Sequence, residues 1–392
     1  MNLFIAVCII HSVLILSTHI VLLGGLVKEF KLKKPAVSSD SGHAVGGVDT
    51  FPLVSVVIPA RNEEGRIANL LESLERQSYP NVEYIFINDR STDSTLALLE
   101  SFMGKIQARG QRALIINLTG NPGPNHKQFA LAKGIAEAQG EFLLFTDADC
   151  TVSTEWIVCM MRLMTANERC GIIIAPVFKK SIGNTFLSRY QCLDHAVRCV
   201  YLVGTTGFGA GFCGFGNNLM LRKAALDEAG GYAMVPWSLT EDAALISHIR
   251  AKTCYTVEAA PLPHLFVFTE SETSWQALTN QTLRWNNGAL FSRDFRTRFS
   301  YAYLMWTVFT GLLALPAGLF WKPPLLLASA GPLVVILLMN LCALLLFGKN
   351  IPKSRFAYIP EIVFMPFMFS YLTLMGAFGI IPIWKDNKPQ KF

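Results

Sequence analysis

Charge is what this chain has least of. Asp, Glu, Lys and Arg make up 16% of its 392 residues, against about 25% in soluble domains. The shortage is uneven. Leu3 to Val27 carries no charge, and Tyr301–Phe320, Leu325–Phe347 and Tyr358–Trp384 together hold one acidic residue, Glu361, and no basic one. Each run is long enough to cross a bilayer as a helix. The first has no basic residues before it, a long apolar run and no clean small-x-small site after it, so a membrane anchor is expected ahead of the alternative, a cleaved signal peptide. CxxC spacing is absent among the nine cysteines, which excludes a disulfide framework and a zinc site and fits a reducing compartment. No Walker A sequence occurs, and no strand-to-helix turn carries a dinucleotide fingerprint, so neither a phosphate loop nor a nicotinamide oxidoreductase is expected. Basic runs interleaved with aromatics are missing, so no nucleic-acid partner is expected.

What charge there is sits where it informs. Lys28, Lys31, Lys33 and Lys34 follow the first apolar run, which by the positive-inside rule puts the next segment in the cytoplasm. The net charge of +6, partly on membrane flanks, suits anionic lipid and phosphate. The expected organisation is a transmembrane helix over 1–27, a basic flank and linker over 28–50 and a cytoplasmic catalytic domain over 51–298. A membrane region of about three segments over 299–384 and a basic tail over 385–392 follow. Pro316, Pro332, Pro360, Pro366 and Pro382 predict kinks there, or a re-entrant last segment that returns the tail and its three lysines to the cytoplasm.

The middle alternates strand and helix. Leu53–Ile58, Glu83–Ile87, Ala113–Leu118 and Phe142–Thr146 read as strands. Ile67, Leu70, Leu71 and Leu74 mark one face of a helix over Glu63–Gln77, with further helices over Ser94–Met103 and His126–Gln139. This order predicts an α/β fold, a mostly parallel sheet with helices on both faces, and ligands beyond the strands' carboxyl ends. Arg61-Asn62-Glu63, Asn88-Asp89 and Asp147-Ala148-Asp149 all fall on that rim. A lone Asp-x-Asp is more often a solvated turn. At the end of a buried strand, two carboxylates one residue apart can share a hard divalent cation, Mg2+ or Mn2+, with phosphate oxygens and water.

Five stretches in order, VSVVIPARNEEGRIANLLESL, INDRSTDST, FTDADC, LTEDAALISHIR and QTLRW, resemble the inverting glycosyltransferases of family 2, which have a GT-A (Rossmann-like) fold. The likeness covers roughly Pro52 to Asn287, and the layout is similar to ceramide glucosyltransferases and to cellulose, hyaluronan and poly-N-acetylglucosamine synthases. The resemblance implies that Pro59, Ala60, Arg61 and Glu63 line the nucleoside pocket and that Asp89 hydrogen-bonds the base, usually uracil. Asn88 and Arg90 stand where the family often has Asp and Gly. It implies Asp147 and Asp149 as metal ligands, with Asp147 also reaching the donor, and Lys127 facing that donor. Asp242 becomes the base that deprotonates the acceptor, although the plainer reading of Glu241-Asp242 is an acidic helix cap. Gly216, Asn217, Asn218 and Glu241 belong to the acceptor side. Gln281, Arg284 and Trp285, at i, i+3 and i+4 of one helix, are given to the diphosphate and the sugars. His195 and His264 receive no role.

The expected protein is an integral enzyme of the bacterial inner membrane. It moves a sugar from a nucleotide sugar, a UDP-sugar, to a lipid or membrane-associated hydroxyl, with a divalent metal. The alternative within the class is a processive polysaccharide synthase. Outside it stands a non-catalytic nucleotide-binding membrane protein, which would have no need for Asp242.

Overall fold

The computed structural model describes residues 3–37, 51–120, 125–209, 211, 214–351 and 358–380. The core of the expected linker, Lys353, Arg355, Pro382 and the basic tail lie outside the described residues. The strands are β1 Val54–Ala60, β2 Val82–Asn88, β3 Arg112–Asn117, β4 Phe142–Phe145, β5 Cys150–Thr151, β6 Cys170–Ile174, β7 Val177–Lys179, β8 Leu219–Arg222, β9 Thr256–Ala259 and β10 Val267–Thr269. The helices are α1 Leu3–Val37, α2 Ile67–Glu75, α3 Thr95–Ala108, α4 His126–Glu137, α5 Trp156–Thr165, α6 Phe186–Gly207, α7 Lys223–Glu228, α8 Glu241–Lys252, α9 Trp275–Leu290, α10 Phe295–Phe320, α11 Leu325–Phe347 and α12 Ile359–Ala377. The chain forms two compact units, one of residues 28–178 and 209–270, the other of 1–27, 179–208 and 271–392.

The first unit holds a seven-stranded sheet in the order β3-β2-β1-β4-β8-β6-β9 and a small sheet β5-β10-β7. Strands β3, β2, β1 and β4 are parallel. Every residue of β2 is buried, the expected condition of a Val/Ile/Phe strand covered on both faces. Ile67, Leu70, Leu71 and Leu74 of α2 join this core as their spacing predicts. Helix α4 packs closely on β1 and β2, because a Cβ on Gly134 would lie 2.6 Å from Ile87 Cδ1. The sheet is mixed, since β8 runs antiparallel to both β4 and β6. Its register sets Leu219 opposite Phe145, so the residues that precede β8 fall beside those that follow β4. That reversal brings Gly216–Asn218 to the same rim as Asp147.

The second unit is helical: α6, α9, α10, α11, α12 and most of α1. Among the described residues four helices, Leu3–Lys31, Phe295–Phe320, Leu325–Phe347 and Ile359–Ala377, are long and apolar enough to cross a membrane. Pro316, Pro332 and Pro366 lie inside α10, α11 and α12 without ending them. The described part of the last segment is therefore one unbroken helix, with Pro360 in its first turn, where a missing N–H costs nothing. Small and polar residues join these helices, as apolar surroundings require. Gly25 abuts the Gly204 carbonyl, Ser12 Oγ accepts from Gly331 N at 3.0 Å, and buried Glu361 pairs with Arg189 at 2.7 Å.

Candidate active site

The loops after β1 and β2 are stitched together. Asn62 N donates to Ser91 Oγ, Thr92 N to Asn62 Oδ1, and Glu63 N to Thr95 Oγ1 at 2.8 Å. Glu63 is buried and pairs with Arg66 at 3.1 Å. Pro59 and Ala60 close β1, and the Ala60 carbonyl accepts from Asp89 N at 2.8 Å. Arg90 has φ 54°, the left-handed conformation that glycine takes freely, which accounts for glycine being frequent there in the family resembled. Its guanidinium clasps Asp89 and reaches His126 Nδ1 at 3.0 Å, and Arg61 reaches the same nitrogen at 2.8 Å. Burial lowers the His126 pKa, the Arg90 and Arg61 charges lower it further, and Asp89 opposes them. A neutral imidazole can accept from either guanidinium through that nitrogen. Sequence reasoning missed Arg90 and His126 as parts of this corner.

Three carboxylates gather around one lysine. Lys127, in the first turn of α4, lies 2.7 Å from Asp147 Oδ1 and 3.2 Å from Glu241 Oε1. Asp242 follows Glu241 in the first turn of α8. Its Oδ2 accepts from Gly216 N at 2.8 Å and its Oδ1 from Ala243 N at 2.7 Å. Burial pushes the Asp242 carboxyl up to about 6, and the Glu241 charge adds to the rise. Lys127 and the two amides hold it down. A cap whose charge was simply welcomed by the helix dipole would move the other way. Perturbed carboxyls of this kind cluster at functional sites.

Asp149 Oδ2 accepts from Thr269 Oγ1 at 3.0 Å. Both aspartates are partly open. Among the described residues no three His, Cys, Asp or Glu side chains gather as a metal cage. The pair instead fits the other mode of holding Mg2+ or Mn2+, one or two carboxylates that share the ion with phosphate and water. Asn217 Nδ2 approaches Cys150 Sγ at 3.5 Å, next to this pair. Asn218 departs from the expected acceptor role. It is fully buried, accepts from Trp156 Nε1 at 3.0 Å and donates to the carbonyls of Pro176 and Leu265, so its polar atoms are spent inside the core. The preceding Gly209–Gly214 run has G-x-G-x-x-G spacing, but it leads from a helix towards a strand, the reverse of a dinucleotide site.

Gln281, Arg284 and Trp285 lie in α9, within the helical unit. Gln281 is buried and donates to Glu272 Oε1 at 2.8 Å. Arg284 is half-buried. Trp285 meets the His195 ring edge-on at 5.6 Å between centroids, with the Arg198 guanidinium over its face at 5.2 Å. His195, given no role from sequence, thus helps to hold this tryptophan.

Comparison with known proteins bears on the family and the fold. The family described as "Glycosyl transferase family 2" matches residues 55–228, and "Glycosyl transferase family group 2" matches residues 142–378. A probable glycosyltransferase of Bacillus subtilis, YdaM, is 25% identical over 243 residues, 61% of this chain and 55% of its own. The beta-monoglucosyldiacylglycerol synthase of Nostoc sp. is 29% identical over 247 residues, 61% of this chain and 49% of its own. The chain spans about half the length of these curated relatives. Among solved structures, a mannosyltransferase of Pyrobaculum calidifontis, in complex with GDP-mannose and Mn2+, aligns with a TM-score of 0.55 at 17% identity. The alignment covers 97% of this chain and 100% of that one. At that identity the likeness shows the fold, which is GT-A.

Proposed function

Since the chain belongs to the family 2 group of glycosyl transferases, we propose that it moves one hexose, with inversion, from a UDP-sugar to the hydroxyl of a membrane lipid. The observation that carries this is the cluster of Asp147, Glu241 and Asp242 around Lys127. Two carboxylates and a cation on the donor side, with a carboxyl of raised pKa beside them, suit a transfer that expels a diphosphate and needs a base.

In this reading the nucleoside lies over Pro59, Ala60, Arg61 and Glu63, with Asp89 towards the base. Asp147 and Asp149 would hold a divalent ion, which supplies positive charge to the diphosphate when bound. Asp242 takes the proton from the acceptor hydroxyl as its oxygen attacks the anomeric carbon. The bond from that carbon to the phosphate oxygen breaks, and the nucleoside diphosphate leaves with the electron pair. Lys127 offsets part of the charge that develops. Asn217 and Gly216 border the acceptor side. The sheet-bearing unit, with a pI of about 8.8 for the whole chain, faces the cytoplasm of a bacterial inner membrane.

A lipid acceptor is favoured by the four apolar helices and by the diacylglycerol-based product in the name of the Nostoc relative. The test is incubation of the purified protein with radiolabelled nucleotide sugars and diacylglycerol or total membrane lipid, followed by solvent extraction. Label should enter the organic phase and be lost in Asp242→Asn. Ethanol-insoluble label that grows with time would replace this reading with a polysaccharide synthase.

A further inference from the structure

Among the described residues, two buried polar atoms beside Asp242 have no partner. Glu241 is 4% exposed; its Oε1 meets Lys127, and its Oε2 accepts nothing. Tyr232 is 8% exposed, and its hydroxyl neither donates nor accepts. Each such atom costs about 1–3 kcal/mol in a finished interior, so native proteins leave few of them. Both side chains line one small cavity together with Asp242, and Leu131, Phe145 and Leu245 supply apolar wall. Burial raises the Tyr232 phenol pKa, the Glu241 and Asp242 charges add to the rise and Lys127 opposes it, in keeping with the shared cavity.

The local chain explains why the phenol points there. Gly230 and Gly231 have φ of 95° and 83°, so the backbone turns sharply between α7 and the short helical turn Tyr232–Met234. A residue with a side chain would be strained at either glycine. The turn delivers Tyr232 inward, whereas Met234, two residues on, is 63% exposed.

A phenol O–H and a carboxylate oxygen, set in an apolar wall, form a donor and acceptor pair. That pair matches one alcohol group, which donates to the carboxylate and accepts from the phenol. Asp242, the proposed base, lines the cavity, and Glu241 in its wall connects through Lys127 to Asp147 on the proposed diphosphate side. The group that must sit between a leaving diphosphate and a base is the sugar being transferred. We infer that Tyr232 and Glu241 form a subsite that reads one hydroxyl of the donor sugar, with Tyr232 as a specificity-determining residue. The inference rests on the donor reading above and adds the atom pair that tells one sugar from another. Hydroxyl recognition by buried polar groups discriminates strongly, because an analogue without that hydroxyl leaves both partners unpaired.

The test is titration calorimetry on the full-length protein in detergent, with UDP-glucose, UDP-N-acetylglucosamine and GDP-mannose set beside UDP and GDP. Tyr232→Phe keeps the ring and removes the hydroxyl. It should weaken the preferred nucleotide sugar roughly five-fold, the ordinary effect of one hydrogen bond, and leave the free nucleoside diphosphate within two-fold. A second arm sets monodeoxy forms of the preferred sugar against both the wild type and Tyr232→Phe. One deoxy position should weaken wild-type binding by a similar factor or more, and in Tyr232→Phe that penalty should shrink, since only Glu241 remains to meet the hydroxyl. Equal losses for nucleotide sugar and free nucleotide, or a deoxy penalty in Tyr232→Phe as large as in the wild type at every position, would overturn the subsite and leave the donor reading standing. If the wild type binds none of the three nucleotide sugars, the donor reading fails first and takes this inference with it.

Discussion

Lys127 Nζ lies 2.7 Å from Asp147 Oδ1, and this contact ties the first turn of α4 to the residues that follow β4. The same nitrogen meets Glu241, so one cation offsets the charge of two carboxylates from different elements. Lys127→Met removes that offset while keeping the bulk. It should lower kcat/KM by ten-fold or more, since a charge-assisted contact beside a developing charge is worth more than a neutral one. Steady-state kinetics against nucleotide-sugar concentration checks this. A change under two-fold would make Lys127 an ordinary surface cation.

If Asp242 is the base, as proposed, it should set the pH dependence of activity: it must be ionised to act, and burial has raised its pKa to about 6. Activity should therefore fall about ten-fold per pH unit below 6. In Lys127→Met the acid limb should move to higher pH, because a charge that holds the Asp242 pKa down is gone. Stability runs the other way. A folded-state pKa above the ordinary 3.8 gives stability that is full below that value and lost as pH rises through 6. Asp242→Asn should thus melt higher than wild type at pH 8, with the gap closing by pH 4. Its turnover should drop a hundred-fold or more, and UDP binding should persist.

Asp147 and Asp149 should behave differently from Asp242. Either Asn substitution should weaken the gain in UDP affinity that Mn2+ or Mg2+ brings, and EDTA should abolish that gain in the wild type. Titrations of UDP with and without the metal read this directly. Retention of the full metal effect in both variants would remove the pair from the donor site.

Much of the sheet was legible because its signals are local. The strands β1 to β4 are short apolar runs, the helices between them repeat apolar residues at a period near 3.6, and their boundaries follow from Gly, Asn and Asp. The position of Asp147 and Asp149 just beyond β4 was readable from the buried apolar run before them. Strand β8 was not, since Leu219–Arg222 is too short for a period and its direction depends on pairing with Phe142–Phe145. That pairing decides Asn217 and Asn218. Adjacent residues at a strand start face opposite ways, and register alone tells which one enters the core. Tyr232 was missed for a similar reason, because an isolated tyrosine after Gly-Gly shows no periodicity.

Asn218→Ala should therefore act on folding. It strands Trp156 Nε1 and the Pro176 and Leu265 carbonyls in the core, a cost of about 2–4 kcal/mol. Thermal or denaturant unfolding should show that loss. Asn217→Ala, which gives up only a weak contact to Cys150 Sγ, should unfold nearly as wild type does. The reverse ranking would return Asn218 to the acceptor side.

Gly24 and Gly25 form a matched pair in α1 for testing the helical unit. A Cβ on Gly24 would meet nothing within 4 Å, whereas one on Gly25 would lie 2.3 Å from Gly204 O and 2.9 Å from Phe208 N. Those atoms are backbone and cannot rotate away, so α1 and α6 would have to separate. Close backbone approach at small residues is what holds helices together where no hydrophobic effect separates helix from lipid. Gly24→Ala should be neutral or stabilising, by up to about 1 kcal/mol from helix propensity. Gly25→Ala should destabilise despite the same gain in propensity, and Gly25→Leu should do so severely. Thermal unfolding in a mild detergent, followed by size-exclusion chromatography of the heated samples, measures all three. Equal melting temperatures for Gly24→Ala and Gly25→Ala would mean that α1 and α6 do not pack closely at this position.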